Sequence, residues 1–203
     1  VLRTVIDRAF DFSLVEAFKA AYAGYANVTL DLAQDELLSK LAEFFEDRLR
    51  GLLEATLPAD AVLACLAVAS DRPVDARARA VAIAMLDKQQ RAGAGEVFKR
   101  ATNIAGQAPS GEPVPPDPGA HPSERALFDT FLSRRAALRK LVQQRDYRGA
   151  FAAVSELVPV LHTYFEDILV MAEDAEIRSN RLRLMRAISD MCRELARLEL
   201  LGG

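Results

Sequence analysis

Lys99, Arg100 and Asn103 stand at positions i, i+1 and i+4 of a stretch with helical periodicity, so one face of a helix would carry two cations and an amide. That combination suits RNA. Arginine and lysine fix phosphates, while an amide or a guanidinium plane meets an unstacked base. In this arrangement Lys99 and Arg100 would hold the backbone and Asn103 would reach a base edge. Arg178 and Asn180, at the start of a later helix, form a second candidate group, and Arg48 and Arg50 a third. For all three groups the competing reading is an ordinary exposed polar residue or a surface ion pair worth under about 1 kcal/mol.

Other chemistry finds no support, and no catalytic residue is assigned. His121 lies in a Pro-rich segment and His162 in a helix, with no cysteine at a spacing that would make a zinc site, so no metal ligand is assigned either. Gly93-Ala94-Gly95 lacks the preceding strand and the third glycine of a dinucleotide fingerprint. Glu173 and Asp174 are adjacent carboxylates, but neighbours at a helix start point apart. Asp174 is expected to cap the helix and Glu173 to meet a nearby arginine. Arg181 falls where the apolar stripe from Ile177 through Leu184 to Ile188 calls for a hydrophobic side chain. An unpartnered buried guanidinium costs several kcal/mol, of the order of a broken buried pair. Arg181 is therefore expected to pair with a carboxylate or with helix-end carbonyls, with Glu173 and Asp174 as the near candidates, ahead of the competing reading of direct RNA contact.

The elements that must position these groups read almost wholly as helix. Ser13-Leu14-Val15-Glu16 has the form of a capping box, and the helix it opens carries Leu14, Phe18, Ala21, Tyr22 and Tyr25. A longer helix from about Leu32 carries Leu37, Leu41, Phe44, Phe45, Leu49 and Leu53, and Pro58 stops it. Ala59–Ser70 is nearly all apolar and belongs inside. Pro73 fits a first helical turn, with Asp71 as the candidate cap. The next helix is expected to end near Gly93-Ala94-Gly95, followed by a short one over Glu96–Ile104. Residues 105–122 hold six of the nine prolines and three glycines, which predicts a mobile surface connection. Three more helices close the chain: one capped by Ser123, one after Asp146 and bent at Pro159, and one from about Asp174 to Leu200.

Composition sets the frame. The 203 residues are 27% charged and 51% hydrophobic, with mean hydropathy near zero, a globular balance that excludes disordered and collagenous classes. The longest apolar run, Ala61–Ala69, is far short of the roughly 20 residues of a membrane-spanning helix. Cys65 and Cys192 lie in apolar helical patterns, as buried thiols of a reducing compartment would. With a net charge of −3, nucleic-acid contact needs a local patch. Of the 26 basic residues only five are lysine, an arginine excess that suits phosphate and base contact but that a general coding bias toward Arg and Ala would also give. Val1 and the lack of a leader pattern suggest an N-terminus cut inside a longer protein.

Several blocks then resemble one family. Tyr164-Phe165-Glu166-Asp167-Ile168-Leu169-Val170-Met171-Ala172-Glu173-Asp174, followed by Ile177-Arg178-Ser179-Asn180-Arg181-Leu182, resembles the last helix pair of the DALR anticodon-binding domain. That domain occurs in arginyl-tRNA synthetases and in the β subunit of bacterial tetrameric glycyl-tRNA synthetase. Phe44-Phe45-Glu46-Asp47-Arg48-Leu49-Arg50-Gly51-Leu52-Leu53, Asp60-Ala61-Val62-Leu63-Ala64 and Lys99-Arg100-Ala101-Thr102-Asn103-Ile104 are similar to segments of the glycyl β subunit. Ala101 departs from the more frequent Val, and 105–122 is longer and richer in proline than the family pattern.

The resemblance implies an all-α helical bundle, with further packed helices in 1–72 continuing an upstream domain and a DALR-like unit in 73–203. It implies glycine tRNA and the synthetase α subunit as partners, no membrane, and a cytoplasmic location. ATP and magnesium would be used by the whole enzyme and no cofactor by this part, which would grip the anticodon arm. Two other readings are a helical interaction module, with Phe12, Phe44 and Phe45 as its interface, and the anticodon domain of an arginyl enzyme.

Overall fold

A computed structural model describes residues 1–28 and 30–203. The helices are α1 (Leu2–Asp7), α2 (Leu14–Ala23), α3 (Gln34–Glu54), α4 (Ala59–Ala69), α5 (Pro73–Ala84), α6 (Lys88–Ala105), α7 (Pro122–Gln143), α8 (Tyr147–Ser155), α9 (Leu157–Asp167) and α10 (Ala175–Arg193), with a 3-10 turn at Leu198–Leu200. Among the described residues there is no strand, and no helix is long and apolar enough to cross a membrane. The fold is all-α, as the sequence predicts.

Local rules set most boundaries. Ser13 Oγ accepts from the Glu16 amide at 3.1 Å and starts α2. The Glu16 carboxylate takes Lys19 Nζ at 2.9 Å instead of reaching back, so the capping box is half made. Asp71 does not cap α5. Its carbonyl and carboxylate accept from the amides of Leu14 and Val15, so it serves the start of α2 across 56 residues of sequence. Arg72 precedes Pro73 at the start of α5, which has no side-chain cap. At α7 the capping group is His121 Nδ1, which faces the amide of Ser123, while Ser123 is itself buried. Pro159 does more than bend its helix. The chain breaks into α8 and α9 at Glu156, because the proline has no N–H for, and its ring crowds, the carbonyl four residues earlier.

Gly93 and Gly95 do not end a helix. Asp87 and Gln90 form a complete capping box at the start of α6, which runs through both glycines. Gly95 is required by packing: a Cβ there would lie 2.0 Å from the Leu201 carbonyl oxygen. Nothing lies within 4 Å of a Cβ at Gly93. Gly95→Ala is therefore expected to destabilise by about 1–3 kcal/mol despite alanine's higher helix propensity. Gly93→Ala should be neutral or stabilising by up to about 1 kcal/mol. Urea midpoints of the two variants decide the matter, and equal stability would refute close packing of the C-terminal segment on α6.

Helix α10 begins at its Asp174 cap but stops at Arg193, seven residues short of the predicted end. The chain then turns inward. Leu195, Ala196, Leu198 and Leu201 are buried, and the Arg197 amide donates to the Ala64 carbonyl. Two buried ion pairs tie this segment to the middle of the chain. Arg79 donates to Asp75 and to the carbonyls of Glu194 and Leu195. Arg91 donates to Asp60, which also accepts from the Gly202 amide. Burial alone would raise the Asp60 carboxyl, but the Gly202 amide and the Arg91 guanidinium outweigh it and hold it below its ordinary value. One core cluster extends from Leu2 to Leu201. Among the described residues of the α2–α3 hairpin only Leu14, Leu49 and Leu53 are buried hydrophobics; Phe12 and Phe45 pack partly on the core and Phe44 is exposed.

Candidate nucleic-acid interface

The C-terminal half of α6 buries Val97, Phe98, Ala101 and Ala105 and leaves Lys99, Arg100 and Asn103 exposed on the opposite arc. Lys99 and Asn103 have no side-chain hydrogen bond or ion pair among the described residues. Arg100 lies over the ring of Phe165, with its guanidinium carbon 4.3 Å from the ring centroid. This stacking orients a flexible side chain, and Arg100 is exposed with no hydrogen bond or ion pair among the described residues. The three groups thus form an unneutralised cationic and amide face with one member already oriented.

The second group is committed elsewhere. Arg178 donates to the carbonyls of Ala172 and Glu173, closing the turn before α10. Asn180 holds the backbone of Val114 at both ends, accepting from its amide at 2.8 Å and donating to its carbonyl at 2.9 Å. Arg48 and Arg50 sit on α3, which packs against α1, α2 and α4, whereas α6 packs against α9, α10 and the 3-10 turn. Arg48 stacks over Phe44 and Arg50 lies 3.6–3.7 Å from Asp47 and Glu46. The structure therefore does not bring the three groups into one surface.

Arg181 is paired, but not with Glu173 or Asp174. It grips the carboxylate of Glu124, in the first turn of α7, with two hydrogen bonds of 2.9 and 2.6 Å, and donates a third to the Leu169 carbonyl. The near candidates fail because their groups are spent locally. The Asp174 carboxylate caps α10 through the amides of Glu176 and Ile177, and these bonds hold it below its ordinary pKa. Glu173 offers only its carbonyl, to Arg178.

The Pro-rich segment between α6 and α7 is irregular as predicted, yet it is fastened rather than loose. Besides the Asn180–Val114 pair, Arg183 donates to the Ser110 carbonyl, Arg125 to the Pro118 carbonyl, and Arg135 takes both carboxylate oxygens of Glu112. A cavity of about 500 Å³ opens between this segment and the start of α10, lined by Val114, Asp117, Glu124, Asp174, Ile177 and Arg181. Its charges are mostly acidic and its one arginine is paired, so it repels phosphate. A second cavity, of about 220 Å³, has the opposite character: Arg135 and Arg139 from α7 and Arg183 and Arg186 from α10 line it, with Glu112, Asp190 and Glu194. The i, i+4 and i, i+3 spacings of these arginines are visible in the sequence. That the two helices face each other is not.

Comparison with known families decides the kinship. Residues 95–202 match the DALR anticodon binding domain. The chain belongs to that family. The DALR region starts in the middle of α6, at the glycine that admits Leu201, and includes Lys99, Arg100 and Asn103. Over the whole chain, this DALR protein is similar to proteins named glycine–tRNA ligase beta subunit. The one from Anaeromyxobacter dehalogenans (strain 2CP-C) is 34% identical over 97% of this chain, and that from Desulforudis audaxviator is 32% identical over 98%. The chain spans only 28% and 29% of those relatives' lengths.

Proposed function

We propose that this chain is the tRNA-binding part of a glycyl-tRNA synthetase β subunit and that it engages the anticodon arm. The observation that carries the reading is the exposed, unneutralised Lys99/Arg100/Asn103 face on the first helix of the DALR region. A tRNA loop offers unstacked bases beside closely spaced phosphates. Lys99 and the N–H edge of Arg100 meet the phosphates, the open face of Arg100 stacks on a base, and Asn103 hydrogen-bonds a base edge. The partners in this reading are glycine tRNA and the synthetase α subunit, in the cytoplasm. ATP and magnesium serve the whole enzyme, and no site for either is proposed on this chain.

The test is titration of the chain with glycine tRNA and with an anticodon-swapped copy over a salt series. Affinity should fall linearly on a log–log salt plot. The swap should cost about 1–3 kcal/mol per altered base, on the scale of mismatched base pairs. Replacing Lys99, Arg100 and Asn103 together by Ala should weaken binding and flatten the salt slope by about 2, one for each phosphate no longer neutralised, while stability falls by no more than the lost Arg100–Phe165 stack, about 1 kcal/mol. Equal binding of both RNAs would remove the anticodon role, and unchanged affinity in the triple variant would remove this face.

A further inference from the structure

The groove between α7 and α10 is an arginine cluster that the Lys99/Arg100/Asn103 face does not include. Arg135 and Arg139 reach it from α7, Arg183 and Arg186 from α10. Their partners differ in kind. Arg183 and Arg186 donate to backbone carbonyls, of Ser110 and Ala105, which orient a guanidinium without cancelling its charge. Arg139 is paired with Glu194 in an exposed bridge, and Asp190 lies beside Arg193. Arg135 is filled by Glu112, whose two oxygens meet it at 2.7 and 3.0 Å in fork-on-fork geometry.

Glu112 does not belong to either helix. It comes from the Pro-rich segment, immediately after Gly111, which has φ +111°. A side chain at Gly111 would be strained by that backbone, and a Cβ there would already touch Arg183 Nε at 3.4 Å. The segment is thus shaped to lie on one arginine and to present a carboxylate to another. The Glu112 side chain is nevertheless 69% exposed. An exposed ion pair contributes little net stability, so exchanging it costs little. A glutamate is an anion at neutral pH, and the Arg135 guanidinium holds the Glu112 carboxyl below the ordinary range, so the pair is a charged one that a phosphate can replace.

We propose that this groove binds the phosphodiester backbone of the tRNA and that Glu112 occupies the place of one phosphate until RNA displaces it. A phosphate offers the same bidentate oxygen pair with more charge, and Arg183 and Arg186 add two positive groups whose own partners are neutral. The groove adjoins the face on α6, because Arg186 reaches the carbonyl of Ala105 at that helix's end. The inference rests on the tRNA-binding reading above.

The experiment measures glycine tRNA binding by the whole chain at several salt concentrations, for Glu112→Gln, Asp117→Asn and the pair Arg135→Gln with Arg139→Gln. Glu112→Gln should tighten binding several-fold, a gain that misfolding cannot imitate. Asp117→Asn makes the same charge change in the same segment away from the groove and should do much less. The double arginine variant should weaken binding by about tenfold or more and flatten the salt slope by about 2. Tightening by Asp117→Asn as large as by Glu112→Gln would overturn the proposal, as would unchanged affinity in both Glu112→Gln and the double variant. In those cases tRNA binding by the unaltered chain still upholds the functional reading. Failure of the unaltered chain to bind tRNA overturns both.

Discussion

Arg181→Ala should lower the unfolding free energy by about 3–5 kcal/mol, with a fall in melting temperature on the order of 10 °C. The cost comes from what remains. Glu124 is 4% exposed, and without the guanidinium its carboxylate would be buried beside α10 with no counter-charge. The Leu169 carbonyl loses its donor in the same step. Arg181→Lys should recover only part of the loss, because an ammonium cannot form the two-pronged bond. Replacing both partners with Arg181→Met and Glu124→Leu should cost far less than either polar deletion, since the desolvation of two charges disappears with them. The measurement is the urea midpoint at constant slope. A midpoint for Arg181→Ala equal to the parent's would show that the pair does not stabilise the fold.

Arg79→Ala should cost a similar amount, about 3–5 kcal/mol, at the other end of α10. Arg79 and Asp75 are both nearly enclosed, one turn apart on α5, with Nε 2.8 Å from the carboxylate. The same guanidinium donates to the carbonyls of Glu194 and Leu195 at 2.8 and 2.6 Å, groups left over where α10 stops. Tyr147 completes the network: its hydroxyl donates to Asp75 and its ring lies under Arg79. Burial and the Asp75 carboxylate push the Tyr147 hydroxyl up to about 12, so it keeps its proton well beyond the range of an ordinary tyrosine. Tyr147→Phe should therefore remove about 1–3 kcal/mol, less than Arg79→Ala. About 13 residues of helix, or roughly 20 Å, separate Arg181 from the Glu194 carbonyl, so the Arg79 and Arg181 losses should add to within about 0.5 kcal/mol. A double variant no less stable than the worse single one would show that the two networks fail together.

These networks mark where the sequence stops being legible. Helix identity follows from apolar spacing, and the Ser13, Asp146 and Asp174 caps are visible as residue types at the right offsets. Arg181 is visible as a charge in an apolar stripe, so its need for a partner is readable. Its partner is not, because Glu124 lies 57 residues away and only the packing of α7 on α10 brings it near. Gly95 misleads for the same reason: glycine signals a helix end locally, while here it admits the backbone of Leu201 from the far end of the chain. Asp71 and His121 follow suit, one capping a distant helix and the other capping where the following serine is the more usual residue. For the interface, Lys99, Arg100 and Asn103 share an arc by helical geometry alone. The stacking of Arg100 on Phe165 and the facing arginines of α7 and α10 need the tertiary structure.

Successive turns of α10 hold different pieces of their surroundings: Arg178 and Arg181 the turn after α9, Asn180 and Arg183 the Pro-rich segment, Arg186 the end of α6. A rod gripped at so many places along its length cannot slide by a helical pitch of 5.4 Å without releasing every grip at once. Such a rod transmits load instead of absorbing it. A tug on the Pro-rich segment through Asn180 or Arg183 would thus load the shaft as one piece, down to the carbonyls of Glu194 and Leu195 that Arg79 clasps.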